Sequence, residues 1–467
     1  MKTIIPSEKI TSITLSAVLV CVSLLCGCNG PIGKLLPDVS VTVKTEDTEI
    51  VSAPAVPPVI SINDDAESVI TASEEEEEIV YEEIYDPVNK EYSVRTADPS
   101  QVTLAFVGDV GFAQGYATIN KYRSNGSDIH NSMDEGVLST MQGVDIMMAN
   151  NEFPYSDRGT PTAGKTFTFR ADPKDVHIMR DMGVDIVGLA NNHAYDYGPD
   201  ALIDTIDTLN DAQLPFVGAG KNIDEAMHPA YFHANGHIIS IVAATQIERL
   251  GSPDTKEATA DSPGVLRTLD PKKAVAAIKE AAEHSDFTVM FVHWGTESTD
   301  LVEQSQRDLA RAYVDAGADL VIGAHSHCLQ GIDYVDDVPV FYSLGNFWFN
   351  SKTLDTCIVR TTLDEECKLS KVEFIPCIQR GSCVVSATES EKSRIIEYMR
   401  GISNYAEIDD EGYVTKSDTD HNTQNGQNTS PARKPAEPAA EEAGEGAADA
   451  GEALQLPDWA VDPNSIE

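Results

Sequence analysis

The sequence predicts an α/β fold, a layered domain in which strands and helices alternate, and three observations predict it. Short apolar runs alternate with amphipathic stretches from Gln101 to about Ala387. Three of those runs rhyme: Gly143-Val-Asp-Ile-Met-Met-Ala-Asn-Asn-Glu152, Gly183-Val-Asp-Ile-Val-Gly-Leu-Ala-Asn-Asn-His193 and Gly317-Ala-Asp-Leu-Val-Ile-Gly-Ala-His-Ser-His327. Each reads as a helix end, a turn, a buried strand and then polar residues at the strand's carboxyl end. The stretches between the runs carry the punctuation of helices.

In chain order, strands are expected at 102–107, 145–149, 185–189, 238–243, 287–292 and 320–323. Asp172-Pro173 and Asp270-Pro271 each offer an N-cap acid before a proline at the first helical position. Gly183 and Gly317 fall where a helix is closed by a C′ glycine.

The flanks differ from this body. The chain has 467 residues, 76 acidic against 33 basic, for a net charge of -43. Residues 29–100 carry net -13 and residues 404–467 net -12, so the flanks hold 25 of the 43 charges in under a third of the length. That balance excludes a nucleic-acid partner, which needs a positive face. The Pro57-Pro58 pair and the Glu74–Glu78 run make 29–96 an acidic, disordered tether. Residues 404–467 read as an acidic low-complexity tail. The domain is thereby bounded at 97–403. Spacer and solubiliser are the plain roles of both flanks.

At the N-terminus, Lys2 and Lys9 precede an apolar run from Ile13 to Cys26, the pattern of a secretory signal at 1–28. The run ends in Leu25-Cys26-Gly27-Cys28-Asn29, which resembles the lipobox of bacterial lipoproteins. The resemblance implies cleavage before Cys28, with Cys28 lipidated and the protein held outside the cytoplasmic membrane by that anchor. An uncleaved signal anchor is the alternative, with the same side of the membrane for the body. Cys328, Cys357, Cys367, Cys377 and Cys383 remain in the body; five thiols allow at most two disulfides, and their spacing assigns none.

Ligand sites in open α/β sheets form outside the carboxyl ends of strands. Here five strand ends deliver Asp109, Glu152, Asn192 with His193, His293, and His325 with His327. Imidazole with carboxylate and amide oxygen is the ligand mix of Zn, Mn or Fe, whereas Ca takes oxygen alone. His325 and His327 are two apart, so at a strand end both rings reach one side. Lys165 and Arg170, ahead of Asp172, are candidates to hold a substrate carboxylate or phosphate, or are plain surface charges. Asp196, three residues after His193, either orients that imidazole or serves as a turn acid. Asn346 either lines the cleft or satisfies a turn.

Gly108-Asp109, Asn150-Asn151-Glu152, Ala190-Asn-Asn-His-Ala-Tyr-Asp-Tyr-Gly198, His293-Trp-Gly-Thr-Glu297, Gly323-Ala-His-Ser-His327 and Tyr342-Ser-Leu-Gly-Asn-Phe347 occur in the order and spacing of the CapA family. The resemblance, to bacterial capsule and poly-γ-glutamate synthesis proteins, spans about residues 101–350. The family is similar to the calcineurin-like metallophosphoesterases, which implies a four-layered α/β/β/α sandwich with a metal centre of one or two divalent transition ions (Mn, Zn or Fe). It implies Asp109, Glu152, Asn192, His293, His325 and His327 as metal ligands and His193 as proton donor, with Asp196 beside it. Lys165, Arg170, Asn150 and Asn346 are the substrate-side candidates.

The sequence departs from the pattern at Gly111, where a histidine is expected, at Gly111-Phe-Ala-Gln114, where Met-Leu-Gly-Arg is common, and at Ser298, where tyrosine is common. The function implied is synthesis, export or attachment of an anionic capsular polymer, with the polymer or its synthesis complex as partner. A metal-dependent phosphoesterase of the envelope, or a non-enzymatic scaffold of the same fold, are the alternatives.

Overall fold

The computed structural model describes residues 84–247 and 255–422. Two large sheets face one another. Sheet I runs, edge to edge, through Cys383–Ser386, Leu369–Arg380, Leu354–Leu363, Val102–Val110, Ile146–Asn151, Ile186–Gly188 and Phe216–Val217, with Asn346–Trp348 added beside Val102–Val110. Sheet II runs through Tyr85–Asp86, Glu91–Ser93, Ala230–Ala234, His237–Thr245, Phe287–His293, Leu320–Ala324, Val338–Phe341 and Ile332–Val335. The central strands of both sheets are parallel. Their carboxyl ends therefore come out on one edge of each sheet.

The layers follow from side-chain alternation along each strand. Leu104 and Phe106 face sheet II and pack with Met148, Ile186, Ile241, Val289, Phe291 and Ile322 in a core shared by both sheets. Ala105 and Val107 face the other way, against Ile119, Leu138, Met141, Leu202 and Ile206 of the helices outside sheet I. Val242, Met290 and Val321 face Ala277, Ile278, Ala310 and Tyr313 of the helices Lys272–His284 and Gln304–Asp315 outside sheet II. The architecture is the expected four-layered α/β/β/α sandwich. All six expected strands are present within a few residues of their expected bounds.

Gly183 and Gly317 take φ of 87° and 110° just past the helices His177–Asp181 and Gln304–Asp315, the left-handed C′ role expected of them. Asp172 caps a 3-10 turn, Pro173–Val176, that runs on into His177–Asp181. The second proline differs: the helix starts at Lys272 with Pro271 as its N-cap, and Asp270 Oδ1 accepts the Lys272 N–H from one residue further out, at 3.3 Å.

The folded body is longer than the expected 97–403. Tyr85–Asp86 and Glu91–Ser93 pair as an edge of sheet II, and Ala406–Ile408 pairs with Val414–Lys416 beyond the helix Glu389–Ile402. The acidic composition of the flanks hid aromatic anchors: Tyr92 is buried against Phe232, with Tyr85 beside it. The signal with Cys28, most of the expected tether, and the tail beyond 422 lie outside the described residues. No helix among the described residues is long and apolar enough to cross a membrane. The five body cysteines are all free thiols.

Candidate metal centre

The carboxyl edges of the two sheets meet over the shared core, and each sheet brings different chemistry. Sheet I supplies oxygen. A bulge between Val107 and Asp109 re-aims the end of the strand Val102–Val110. It depends on glycine, because a Cβ at Gly108 would overlap the Gly345 carbonyl. Asp109 is thus fully buried, with Asn346 paired beside it. Asn150, the penultimate residue of the neighbouring strand, donates from Nδ2 to Asp109 Oδ1 at 2.8 Å. Glu152 follows one residue past that strand, fully buried.

Sheet II supplies nitrogen. His293 closes the strand Phe287–His293 with its ring wholly buried. His325 and His327 lie past the end of Leu320–Ala324, not on it, and take φ of 98° and 57°. Both are in the left-handed region, uncommon outside glycine. Their common direction therefore comes from a tight turn, not from the strand alternation that the sequence suggested.

The donor atoms converge. His293 Nε2 is 2.9 Å from Asn192 Oδ1 and 2.9 Å from His325 Nδ1. Glu152 Oε1 is 3.8 Å from His293 Nε2 and 3.8 Å from His193 Nε2. Two sets, Glu152–His293–His325 and Asp109–Glu152–His327, each bring three donor atoms within 4.8 Å of one another and share Glu152. Burial, then the charges of Asp109 and Glu297, raise the Glu152 carboxyl well above its usual range. Burial and the neighbouring imidazoles push His293 and His325 well below theirs, so both rings are neutral, the state in which imidazole binds metal. His327 goes the other way: burial opposes its charge, but Asp109, with Glu297 and Asn346, outweighs it and raises the value.

One observation tests whether these residues fit an ion. Both Glu152 oxygens are buried and neither has a hydrogen-bond partner. Without a cation a carboxyl so placed is driven to its neutral form, as its raised pKa shows, and a divalent ion is a partner that restores the carboxylate. The residues fit a divalent transition ion, and the mixture of imidazole, carboxylate and amide donors matches that class.

Beside this cluster sits His193. Its Nδ1 is 2.7 Å from Asp196 Oδ2, and its ring lies tilted against Phe169 with centroids 4.2 Å apart. Burial lowers its pKa, against the pull of Asp196. Asp196 is therefore the orienting partner and not a turn acid: it also accepts the Phe169 N–H at 2.6 Å and Lys165 Nζ at 2.6 Å. Lys165 gives its charge to the protein, with a side chain 5% exposed and a second bond to the Asn192 carbonyl at 2.6 Å. Arg170 turns elsewhere, with its guanidinium over Tyr197 and Nη1 donating to the Arg158 carbonyl. The structure thus places Asp109, Asn150, Glu152, Asn192, His193, Asp196, His293, His325, His327 and Asn346 together, draws Lys165 in for a different use, and leaves Arg170 out.

Three participants were given no role by the sequence, although Asn191 lies inside the Asn-Asn-His run. Asn191 Nδ2 bridges to Asn150 Oδ1 at 3.0 Å and to the Asn151 carbonyl at 2.9 Å, fixing the loop that carries His193. Phe169 and Phe349 wall the imidazoles, Phe349 at 5.0 Å from the His327 ring. Phenylalanine reads as core in any sequence, so only its neighbours reveal this role.

The profile of the family described as bacterial capsule synthesis protein PGA_cap matches residues 103–351. A protein of Bacillus subtilis (strain 168) described as PGA biosynthesis protein CapA is 30% identical over 335 residues, 70% of this chain and 85% of its own length. A capsule biosynthesis protein CapA of Bacillus anthracis is 29% identical over 314 residues, 65% of this chain and 74% of its own. A probable polyglutamine synthesis accessory protein of Mycobacterium tuberculosis is 28% identical over 209 residues, 44% and 55% of the two chains. The matched span begins one residue into the strand that carries Asp109 and ends just past Phe349, so the whole centre lies inside it. This chain belongs to the family of bacterial capsule synthesis proteins, PGA_cap.

Proposed function

We propose that this protein is a lipid-anchored, extracytoplasmic member of its family that assists synthesis, export or attachment of an anionic capsular polymer, poly-γ-glutamate by the names of its relatives, through a buried metal centre. The observation that carries the reading is the unpartnered Glu152 carboxylate among His293, His325 and Asn192. Glu152, His293, His325 and Asn192 would hold the ion, with Asp109 and His327 adjoining. A bound divalent ion supplies Lewis-acid polarisation of an ester or amide oxygen.

The chain's own residues do the rest. His193 is held by Asp196 at Nδ1, which leaves Nε2 on the Glu152 side to pass a proton to a leaving group. Lys165 fixes Asp196 and, through the Asn192 carbonyl, the loop between the metal site and the acid. Phe169 and Phe349 exclude water from the imidazoles. With a net charge of -43, the surface repels a polyanion, so the metal cleft is the place to grip one.

The test is complementation of a strain lacking the gene, with surface polymer as readout. His193→Ala and His325→Ala are expected to abolish polymer while the protein is still made. Wild-type polymer from both variants sinks the reading in favour of a scaffold. A second reading, a metal-dependent phosphoesterase, is favoured by the His193–Asp196–Lys165 chain. It fails if the metal-loaded protein never cleaves a generic phosphodiester such as bis(p-nitrophenyl) phosphate while the variants still lose polymer.

A further inference from the structure

The two three-residue sets at the centre share Glu152 but are not equivalent. In the set of Glu152, His293 and His325, the nearest polar neighbours of the donor atoms are largely one another and Asn192 Oδ1, at 2.9 Å. That spacing suits ligand atoms around one small ion, since donor–ion distances of about 2.0–2.2 Å put adjacent ligands about 3 Å apart. The Glu152 oxygens accept no hydrogen bond, and Oε1 has His293 and His193 Nε2 at 3.8 Å.

In the set of Asp109, Glu152 and His327, Asp109 and His327 are already engaged, with each other and with groups outside the set. Asp109 Oδ1 accepts from Asn150 Nδ2 at 2.8 Å, and Oδ2 accepts the His325 backbone N–H at 3.3 Å. His327 Nδ1 lies 2.8 Å from Asn346 Oδ1 and 3.2 Å from Asp109 Oδ2.

The approach to this second position is also closed by carbon. The Phe349 ring lies tilted against His327, and edge-on to Phe169 at 5.5 Å. It fills the space beside the strand end so fully that a Cβ at Gly111 would come within 2.7 Å of it. A side chain at that position would have to displace the ring, and the ring offers no donor.

We propose that the centre takes a single divalent ion, on Glu152, His293, His325 and Asn192, and that Phe349, with the hydrogen bonds on Asp109 and His327, closes the second position. The inference rests on the metal-centre reading above. The full chain, stripped with chelator and reloaded with Mn²⁺, reports on it through ion content by mass spectrometry and through electron paramagnetic resonance.

One ion per chain with an isolated Mn²⁺ signal is expected. His325→Ala should empty the site and His327→Ala should leave the ion in place. Phe349→Ala, which admits water where the ring lay, should bring a second ion and an exchange-coupled signal. Two ions in the wild type, or equal loss from His325→Ala and His327→Ala, overturns the single-ion assignment and leaves the metal reading standing. Phe349→Ala that stays at one ion overturns the role given to the ring. No ion in the wild type sinks the metal reading itself, and the inference with it.

Discussion

The two ends of the same strands use carboxylates in opposite ways. At the amino edge, four aspartates clasp neighbouring strands. Asp145 Oδ2 accepts the Thr103 N–H at 2.7 Å, Asp185 that of Met147 at 2.8 Å, Asp286 that of Ile238 at 2.9 Å and Asp319 that of Thr288 at 2.9 Å. Each also donates its own N–H back to the same residue's carbonyl, at 2.8–3.1 Å. Asp286 is exposed and Asp145 half-buried, while Asp185 and Asp319 keep solvent exposure although burial of their carboxyls raises the pKa of both, Asp185 to about 6. At the carboxyl edge, Asp109 and Glu152 are fully buried, and Glu152 has no donor at all. A carboxylate met by an amide closes a strand, whereas one buried without a donor is open to a cation.

The largest effect should come from the core that sets both edges at once. Phe291→Ala, in the middle of the shared core, is expected to cost about 3–5 kcal/mol. It should also loosen ion retention, read by thermal unfolding with and without Mn²⁺; a variant that unfolds early but binds the ion as tightly as wild type would separate the core from the site. Next, Glu152→Gln should leave the metal-free protein at least as stable as wild type at neutral pH. It should also remove the roughly 2.7 kcal/mol of stabilisation that an ion at 100 times its Kd provides. Loss of stability in the metal-free variant would place Glu152 among the structural carboxylates.

Asp333 stands between the two kinds, because it is buried and also paired, with Arg307 Nη1 at 3.0 Å. Burial raises its pKa to about 6 against the opposing pull of Arg307. A carboxyl whose folded pKa lies above its unfolded value binds more protons in the fold. Its contribution to stability therefore falls as pH rises from the ordinary 3.8 to about 6, and is level above. Asp333→Asn should flatten that part of the stability-against-pH curve in denaturant titrations. The smallest effect is expected at the amino edge: Asp145→Ala, which frees the Thr103 and Ala97 amides, should cost about 1 kcal/mol and leave ion content unchanged.

The Gly-x-Asp rhyme at Gly143, Gly183 and Gly317 is legible in the amino-acid sequence, as are the strands that follow it. Its aspartates turn out to serve the fold, while the polar residues at the far end of each strand serve the site. Most of the metal cluster is legible too, because its residues sit at strand ends whose direction is set by parallel pairing. Lys165 is not: its exposed-looking loop, 157–168, lies across Asp196, so an apparent substrate cation became a buried partner. The ordered hairpin at Tyr85 and the strands at Ala406 and Val414 were concealed by acidic composition, which reports average solvation and not which aromatic side chain finds a groove.

Local periodicity was enough to establish the α/β class, the places of the central strands and the residue types gathered at their carboxyl ends. None of these needs knowledge of what lies across the molecule. Which donors face one another, and which are already engaged, was settled by the packing of the two sheets. The same packing stands a phenylalanine beside Gly111 and brings His325 and His327 together through a left-handed turn. Those are contacts between segments far apart in the chain, set by the meeting of two sheets across one core.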